Sequence, residues 1–162
     1  MKSTWIAPAA AVLAIALSVH AATAADEIKP MQAEGMQWGA VPPFLPPNAK
    51  IAVLSGNPMA DGVYTLRLQM PAGYEIPAHN HPTAELVTII SGTLGVGHGD
   101  VLDRAKSEQL KSGSFVDIPA QQNHFAWAGP GGAVIQVHGM GPFAIIYVDP
   151  AKDPRHATSA KK

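Results

Sequence analysis

The chain contains no cysteine. That excludes a disulfide framework, a thiolate metal site and a lipid-anchored N-terminal cysteine; an oxidising compartment permits disulfides but does not require them. Charge is scarce as well. Only 14% of residues are Asp, Glu, Lys or Arg, and 11 basic residues against 12 acidic ones leave a net charge of −1. Such a balance gives no electrostatic reason to expect nucleic acid or an anionic membrane as partner, so a small molecule or another protein is expected instead. No apolar run is long enough to cross a bilayer: Ile6–Val19 falls short of the roughly 20 residues required and contains Pro8. No internal repeat is visible. What is present is 47% hydrophobic residues in 162, enough for one folded domain with a core and too few residues for two comfortable ones.

The first residues belong to a different kind of segment. Met1-Lys2 is a minimal positive region, Ile6–Val19 is apolar, and Ala21–Ala25 supplies small residues for cleavage after Ala24 or Ala25. Residues 1–25 are therefore expected to be an export signal, leaving a periplasmic or secreted chain with no membrane attachment.

Residues 26–49 read as an extended Pro-rich arm. Pro42, Pro43, Pro46 and Pro47 remove donors and fix φ, which excludes a helix or a central strand. Trp38, Phe44 and Leu45 are its apolar anchors. Residues 50–149 carry short β-prone runs separated by Gly, Pro and Asn: 51–54, 63–70, 85–90, 93–97, 115–118, 124–127, 133–138 and 144–148. Runs this short predict an all-β antiparallel sandwich or barrel. Asp103–Gln109 is the one stretch that reads as a turn or two of helix, with Asp103 as cap. Residues 150–162 are expected to form a flexible tail.

Four residues carry the chemistry. His79 and His81 flank Asn80, and two positions apart on a strand they share a face. Glu85 follows after a short turn through Pro82 and Thr83, and His124 comes from a second strand. Three neutral imidazoles and a carboxylate suit one divalent transition metal (Fe, Mn, Ni, Cu or Zn); calcium would want more oxygen ligands.

These residues sit in recognisable frames. Gly73 to Gly92 resembles the first motif of the cupin superfamily: Gly73, five residues, His79-x-His81, three residues, Glu85, six residues, Gly92. Gly113 to His124 resembles the second: Gly113, five residues, Pro119, four residues, His124. The stretch Gln136–Phe143 is similar to small bacterial single-domain cupins with one conserved barrel. Two positions depart from the pattern, since the family's glycine after Pro119 is Gln121 here and its final asparagine is Ala128. The resemblance implies a single cupin barrel, a double-stranded β-helix of two antiparallel sheets. It further implies one metal on His79, His81, Glu85 and His124 with open coordination positions, and Glu85 as a carboxylate able to take a proton. Pairing into a homodimer through outer strands is also implied, with Phe125 and Trp127 as the candidate apolar surface.

Outside the motifs, His138 shares a strand face with Gln136 and Val134, while Ile135 and Val137 take the other. Facing inward, His138 is a candidate catalytic proton shuttle; facing outward, it is a surface residue. The same question applies to Thr65, Arg67 and Gln69 against Tyr64, Leu66, Leu68 and Met70. His98 is expected to be exposed. The leading functional expectation is a metal-dependent oxidoreductase of the dioxygenase or oxidase type acting on a small organic molecule. The alternatives are an isomerase or lyase, for which only Arg67 and His138 could steady an anion, and a non-catalytic metal- or ligand-binding module. Oxalate-decarboxylating cupins place an arginine where this chain has Ile76, which argues against oxalate.

Overall fold

The computed structural model describes residues 28–157; the expected export signal and the last residues of the tail lie outside that range. Among the described residues nine strands carry the fold. They are β1 (Gly39–Ala40), β2 (Lys50–Ser55), β3 (Gly62–Met70), β4 (Glu75–Asn80), β5 (Glu85–His98), β6 (Glu108–Lys111), β7 (Phe115–Ile118), β8 (His124–Gly141) and β9 (Ile146–Tyr147). A single helical turn, α1 (Pro154–Ala157), follows. Among the described residues no helix is long and apolar enough to cross a membrane.

Every pairing is antiparallel. One path runs β1-β2-β3-β8-β4-β9, and β5 pairs with β6, β7 and β8. The sheet curls because its two longest strands change partners along their length. The C-terminal half of β8 lies between β3 and β5, and its N-terminal half lies between β4 and β5. Strand β5 likewise pairs first with β7, through Glu85–Thr88, and then with β6, through Thr93–Val96.

The corner is built from glycine. Gly92 and Gly132 both adopt φ of +76°, and a Cβ on Gly92 would collide with the Gly132 carbonyl. The β5–β8 register shifts on either side of Gly92, so both strands bend together there. The runs expected at 85–90 and 93–97 are therefore one bent strand, as are those at 124–127 and 133–138.

Alternation then builds the core. On β3, Tyr64, Leu66, Leu68 and Met70 are buried, while Thr65, Arg67 and Gln69 face out. This settles the orientation left open by the sequence. Arg67 bonds Gln136 Oε1 at 3.0 Å on the outer face. Burying each of the large apolar side chains contributes about 1.5–3 kcal/mol before entropy is counted.

Two expectations need correction. The stretch 103–109 is not a regular helix: Asp103 caps a 3₁₀ turn at Arg104–Lys106, and the chain then enters β6. Its β-pairing to β5 overrides a weak helical preference. Nor is the tail loose from residue 150. Asp149 caps a 3₁₀ turn at Pro150–Lys152, and buried Asp153 pairs with Arg155 at 2.6 Å. Arg155 also donates to the Ile145 carbonyl at 3.2 Å, which ties this segment to the chain just before β9. In the arm a 3₁₀ turn at Ala33–Gly35 precedes β1, which pairs onto β2, and a turn closed by the Leu45 N–H on the Pro42 carbonyl carries buried Leu45. Tyr74 and Tyr147 hold it by donating their hydroxyls to the carbonyls of Pro46 (2.5 Å) and Phe44 (2.9 Å).

Candidate metal centre

Strand ends gather the four predicted ligands. His79 lies on β4, His81 one residue beyond it, Glu85 opens β5 and His124 opens β8. His79 and His124 are direct partners across the β4–β8 ladder. All three histidines are buried, and one nitrogen from each lies within 4.8 Å of the others. Glu85 Oε2 stands 3.6 Å from His81 Nε2 and 3.9 Å from His124 Nε2. Two donors sharing an ion at bonds of about 2.1 Å stand roughly 3 to 4.2 Å apart; the Glu85 distances to His81 and His124 fall in that range, and the three histidines form a group able to hold a metal ion.

The backbone fixes which nitrogen faces the centre. His79 Nδ1 lies 2.7 Å from the Pro77 carbonyl, His81 Nδ1 2.7 Å from that of Ala144, and His124 Nδ1 2.9 Å from that of Gln122. A carbonyl only accepts, so each Nδ1 carries the proton and each Nε2 presents a lone pair. Burial reinforces this by disfavouring charge. It pushes the His79 imidazole well below its ordinary pKa, helped by His124 and His81 and opposed by the Pro77 bond. Burial also lowers His81 and His124, against the pull of their backbone bonds. For Glu85 burial raises the pKa, and His124 opposes it. Neutral imidazoles with borderline-soft nitrogen and one carboxylate are the donor set of a divalent transition metal.

Neighbouring residues hold the ligand loops together. Asn80 donates to Asn123 Oδ1 at 2.8 Å, and Asn123 donates to Asp100 Oδ1 at 2.7 Å. These bonds tie the turn carrying His81 to the turn carrying His124. Gln121, where the resemblance leads one to expect glycine, takes φ of +63° and donates its N–H to the His81 carbonyl at 2.8 Å. The turn keeps its glycine-like shape with a side chain in place. Sequence reading passed over Asn80, Asn123 and Asp100; an asparagine beside each of the three histidines was the available signal.

The centre lies in the wall of a cavity of about 270 Å³. Leu66, Leu68, Val87, Ile135 and Val137 line it, and among the described residues the only polar lining residue besides the three histidines and Glu85 is Asn57. Phe143 stacks against His81 with centroids 4.9 Å apart and meets Phe44 of the arm at 5.6 Å.

His138 is not part of this site. Ile135 and Val137 take the cavity face of β8, so His138 turns outward, bonded to Thr65 Oγ1 (3.0 Å) and Gln136 Nε2 (3.1 Å). The proposed catalytic role for it is withdrawn on geometry. Phe125 and Trp127 also face away from the ligands, and they are buried rather than available to a partner. Gly97 and Gly95 leave the room their rings occupy, Trp127 Nε1 donates to Ser107 at 3.0 Å, and Arg104 lies over the indole at 4.6 Å. They cannot supply a dimer surface. His98 is exposed, as expected.

The curled sheet and its ligand geometry can now be set beside known proteins. A family model described as a domain of unknown function (DUF4437) matches residues 19–146. The chain belongs to the DUF4437 family. No curated protein matches its sequence. Among solved structures it is similar to the polyketide cyclase RemF from Streptomyces resistomycificus, with TM-score 0.63, 18% identity, and coverage of 83% of this chain and 95% of that one. It is also similar to an RmlC-like cupin from Shewanella frigidimarina NCIMB 400, with TM-score 0.54, 17% identity, and coverage of 69% and 90%. An oxalate oxidase aligns with TM-score 0.50 and 24% identity over 68% of this chain and 60% of that one. At these identities the likeness carries the fold alone: this DUF4437 chain has an all-β fold, the double-stranded β-helix seen in cupin structures.

Proposed function

We propose that the protein is a metal-dependent enzyme acting on a small organic molecule, with oxidoreductase chemistry of the dioxygenase or oxidase type. One observation carries this reading: three buried imidazoles gather in the wall of an apolar cavity large enough for a ligand, with the Glu85 carboxylate 3.6 and 3.9 Å from two of them. A purely structural metal site would be closed by protein on every side. Enzymes among the structural neighbours, a polyketide cyclase and an oxalate oxidase, lend the reading support by analogy.

A bound divalent ion supplies Lewis acidity and, if redox-active, an electron-transfer centre. The chain's own residues do the rest. The carbonyls of Pro77, Ala144 and Gln122 hold the three rings in one tautomer and orientation. Among the described residues Glu85 is the one carboxylate facing the cavity, and burial makes its carboxylate a better proton acceptor than an exposed one. The apolar walls exclude water around the reacting molecule. Isomerase or lyase chemistry on an anion is less well served, because Arg67 and His138 lie on the outer face. Export through residues 1–25 belongs to the same proposal, and a periplasmic or secreted protein would acquire its metal there.

The experiment is elemental analysis of purified protein, followed by oxygen uptake across a panel of small organic substrates. About one transition metal per chain with substrate-dependent oxygen uptake is expected. Turnover indifferent to oxygen would favour the isomerase or lyase class, and metal retention with no turnover would favour a binding module. Full activity in metal-free protein would overturn the proposal.

A further inference from the structure

The cavity's charge and hydrogen-bonding inventory narrows what it can hold. We propose that it selects an apolar molecule bearing a single acidic oxygen head (a phenol, an enol or a β-dicarbonyl) and rejects sugars, phosphates and dicarboxylates. This rests on the three-His, one-Glu metal reading above.

A divalent ion held by three neutral imidazoles and one carboxylate carries one net positive charge, which a single anionic oxygen neutralises. A second anionic group would find no counter-charge. No Lys or Arg is among the residues lining the cavity, and Arg67 and His138 lie on the opposite side of the β3–β8 sheet, bonded to Gln136 and Thr65. Burying an unpaired carboxylate in such surroundings is among the costliest things a protein site can do.

A sugar's hydroxyls, once desolvated, need partners, and the walls offer only Asn57 beyond the ligands themselves. No tyrosine is among the residues lining the cavity, and Tyr74 and Tyr147 donate to the Pro46 and Phe44 carbonyls of the arm. Each hydroxyl left unpaired costs about 1–3 kcal/mol, so a polyol accumulates a prohibitive penalty.

The walls supply the positive side of the selection. Leu66, Leu68, Val87 and Val137 face a flat apolar body, and the Phe143 ring, stacked on His81 at 4.9 Å and near Phe44 at 5.6 Å, adds an aromatic surface beside the head group. Val53 and Met59 line the cavity while remaining 47% and 61% exposed, so the side open to solvent is apolar as well.

The test loads the full mature chain with Co(II) and follows its visible absorption during titration with tropolone, oxalate or gluconate. Each affinity is divided by that of the same probe for free Co(II) in the same buffer, and cobalt retention is checked after desalting. Tropolone is expected to show a ratio at least tenfold above those of oxalate and gluconate. Equal or reversed ratios, or bound cobalt that responds to none of the three probes, would overturn the substrate class while leaving the metal site standing. Failure to bind cobalt would instead overturn the metal reading, and this inference with it. Val53→Arg, which places a cation at the open side, is expected to keep its cobalt and narrow the oxalate gap severalfold. An unchanged gap in that variant would refute the charge argument.

Discussion

His124 and His138 lie on the same strand an even number of residues apart, yet one faces the cavity and the other faces away. A straight strand would put both on one face. The two halves of β8 obey opposite parities: His124 and Ala126 point inward in the first half, Ile135 and Val137 in the second. Strand β5 makes the same switch, with Val87 inward before the bend and Leu94 and Val96 inward after it. The switch falls where the β5–β8 register slips beside Gly92 and where Gly132 takes a positive φ. The corner that closes the barrel therefore also decides which histidine can be a ligand.

The sharpest way to break the comparison is to remove each histidine in turn. His124→Ala deletes one of three imidazole donors and is expected to reduce bound metal from about one per chain to near zero, a loss of at least 100-fold in affinity. His138→Ala should leave metal content unchanged and cost no more than about 1 kcal/mol, the worth of its bonds to Thr65 and Gln136. Elemental analysis and urea unfolding of both variants check this; metal loss in His138→Ala would refute the outward assignment.

Next in size is the corner itself. Gly92→Ala meets the Gly132 carbonyl and must also hold φ of +76°. The left-handed conformation alone costs a non-glycine residue about 1–2 kcal/mol, and the collision adds to it. A destabilisation above about 2 kcal/mol is expected in urea unfolding, together with weakened metal binding, because inward parity on both long strands depends on this bend. Gly113→Ala has φ of +87° but nothing within 4 Å of the added Cβ, so it should show the conformational cost alone.

Acid offers a graded version of the same contrast. The three ligand histidines have lowered pKa values in the folded, metal-free chain, mainly through burial, so below their ordinary 6.5 the unfolded state binds more protons than the folded one. Stability is then lost as pH falls from about 6.5 towards 5. Glu85 acts with the opposite sign, since its raised pKa makes the folded state hold a proton more readily above 4.5. Three groups outweigh one, so the melting temperature of metal-free protein should fall over that window. The fall should be shallower in His124→Ala.

How much of this was legible beforehand follows from the range of each signal. The ligand set was readable because His79, His81 and Glu85 are local to one turn and His124 stands in a second frame with its own glycine and proline. Inward and outward faces within β3 were readable as alternatives, through simple alternation. The parity switch was not, because it depends on how Gly92 and Gly132 meet across two strands far apart in sequence. Phe125 and Trp127 looked like surface candidates for the same reason: the glycines that make room for them, Gly97 and Gly95, sit on β5, and Ser107 and Arg104 cover Trp127 from a loop whose position no local pattern gives. The folded segment after Asp149 was locally signalled by two Asp-Pro pairs, each an N-cap followed by proline, and was passed over.

The smallest expected effect tests the turn next to the ligands. Gln121 holds φ of +63° where glycine would be unstrained, and its N–H supports His81 through the carbonyl. Replacing it with glycine removes a left-handed strain of about 1–2 kcal/mol but returns about 0.5–1 kcal/mol of chain entropy to the unfolded state. The net should be a stabilisation of about 0.5 kcal/mol with metal affinity unchanged, read by urea unfolding and metal titration. Gln121→Val, β-branched in a left-handed position, should move the other way by more than that. If Gln121→Gly instead weakens metal binding, the side chain itself supports the His81 loop, and the strain at this position is part of how the centre is held.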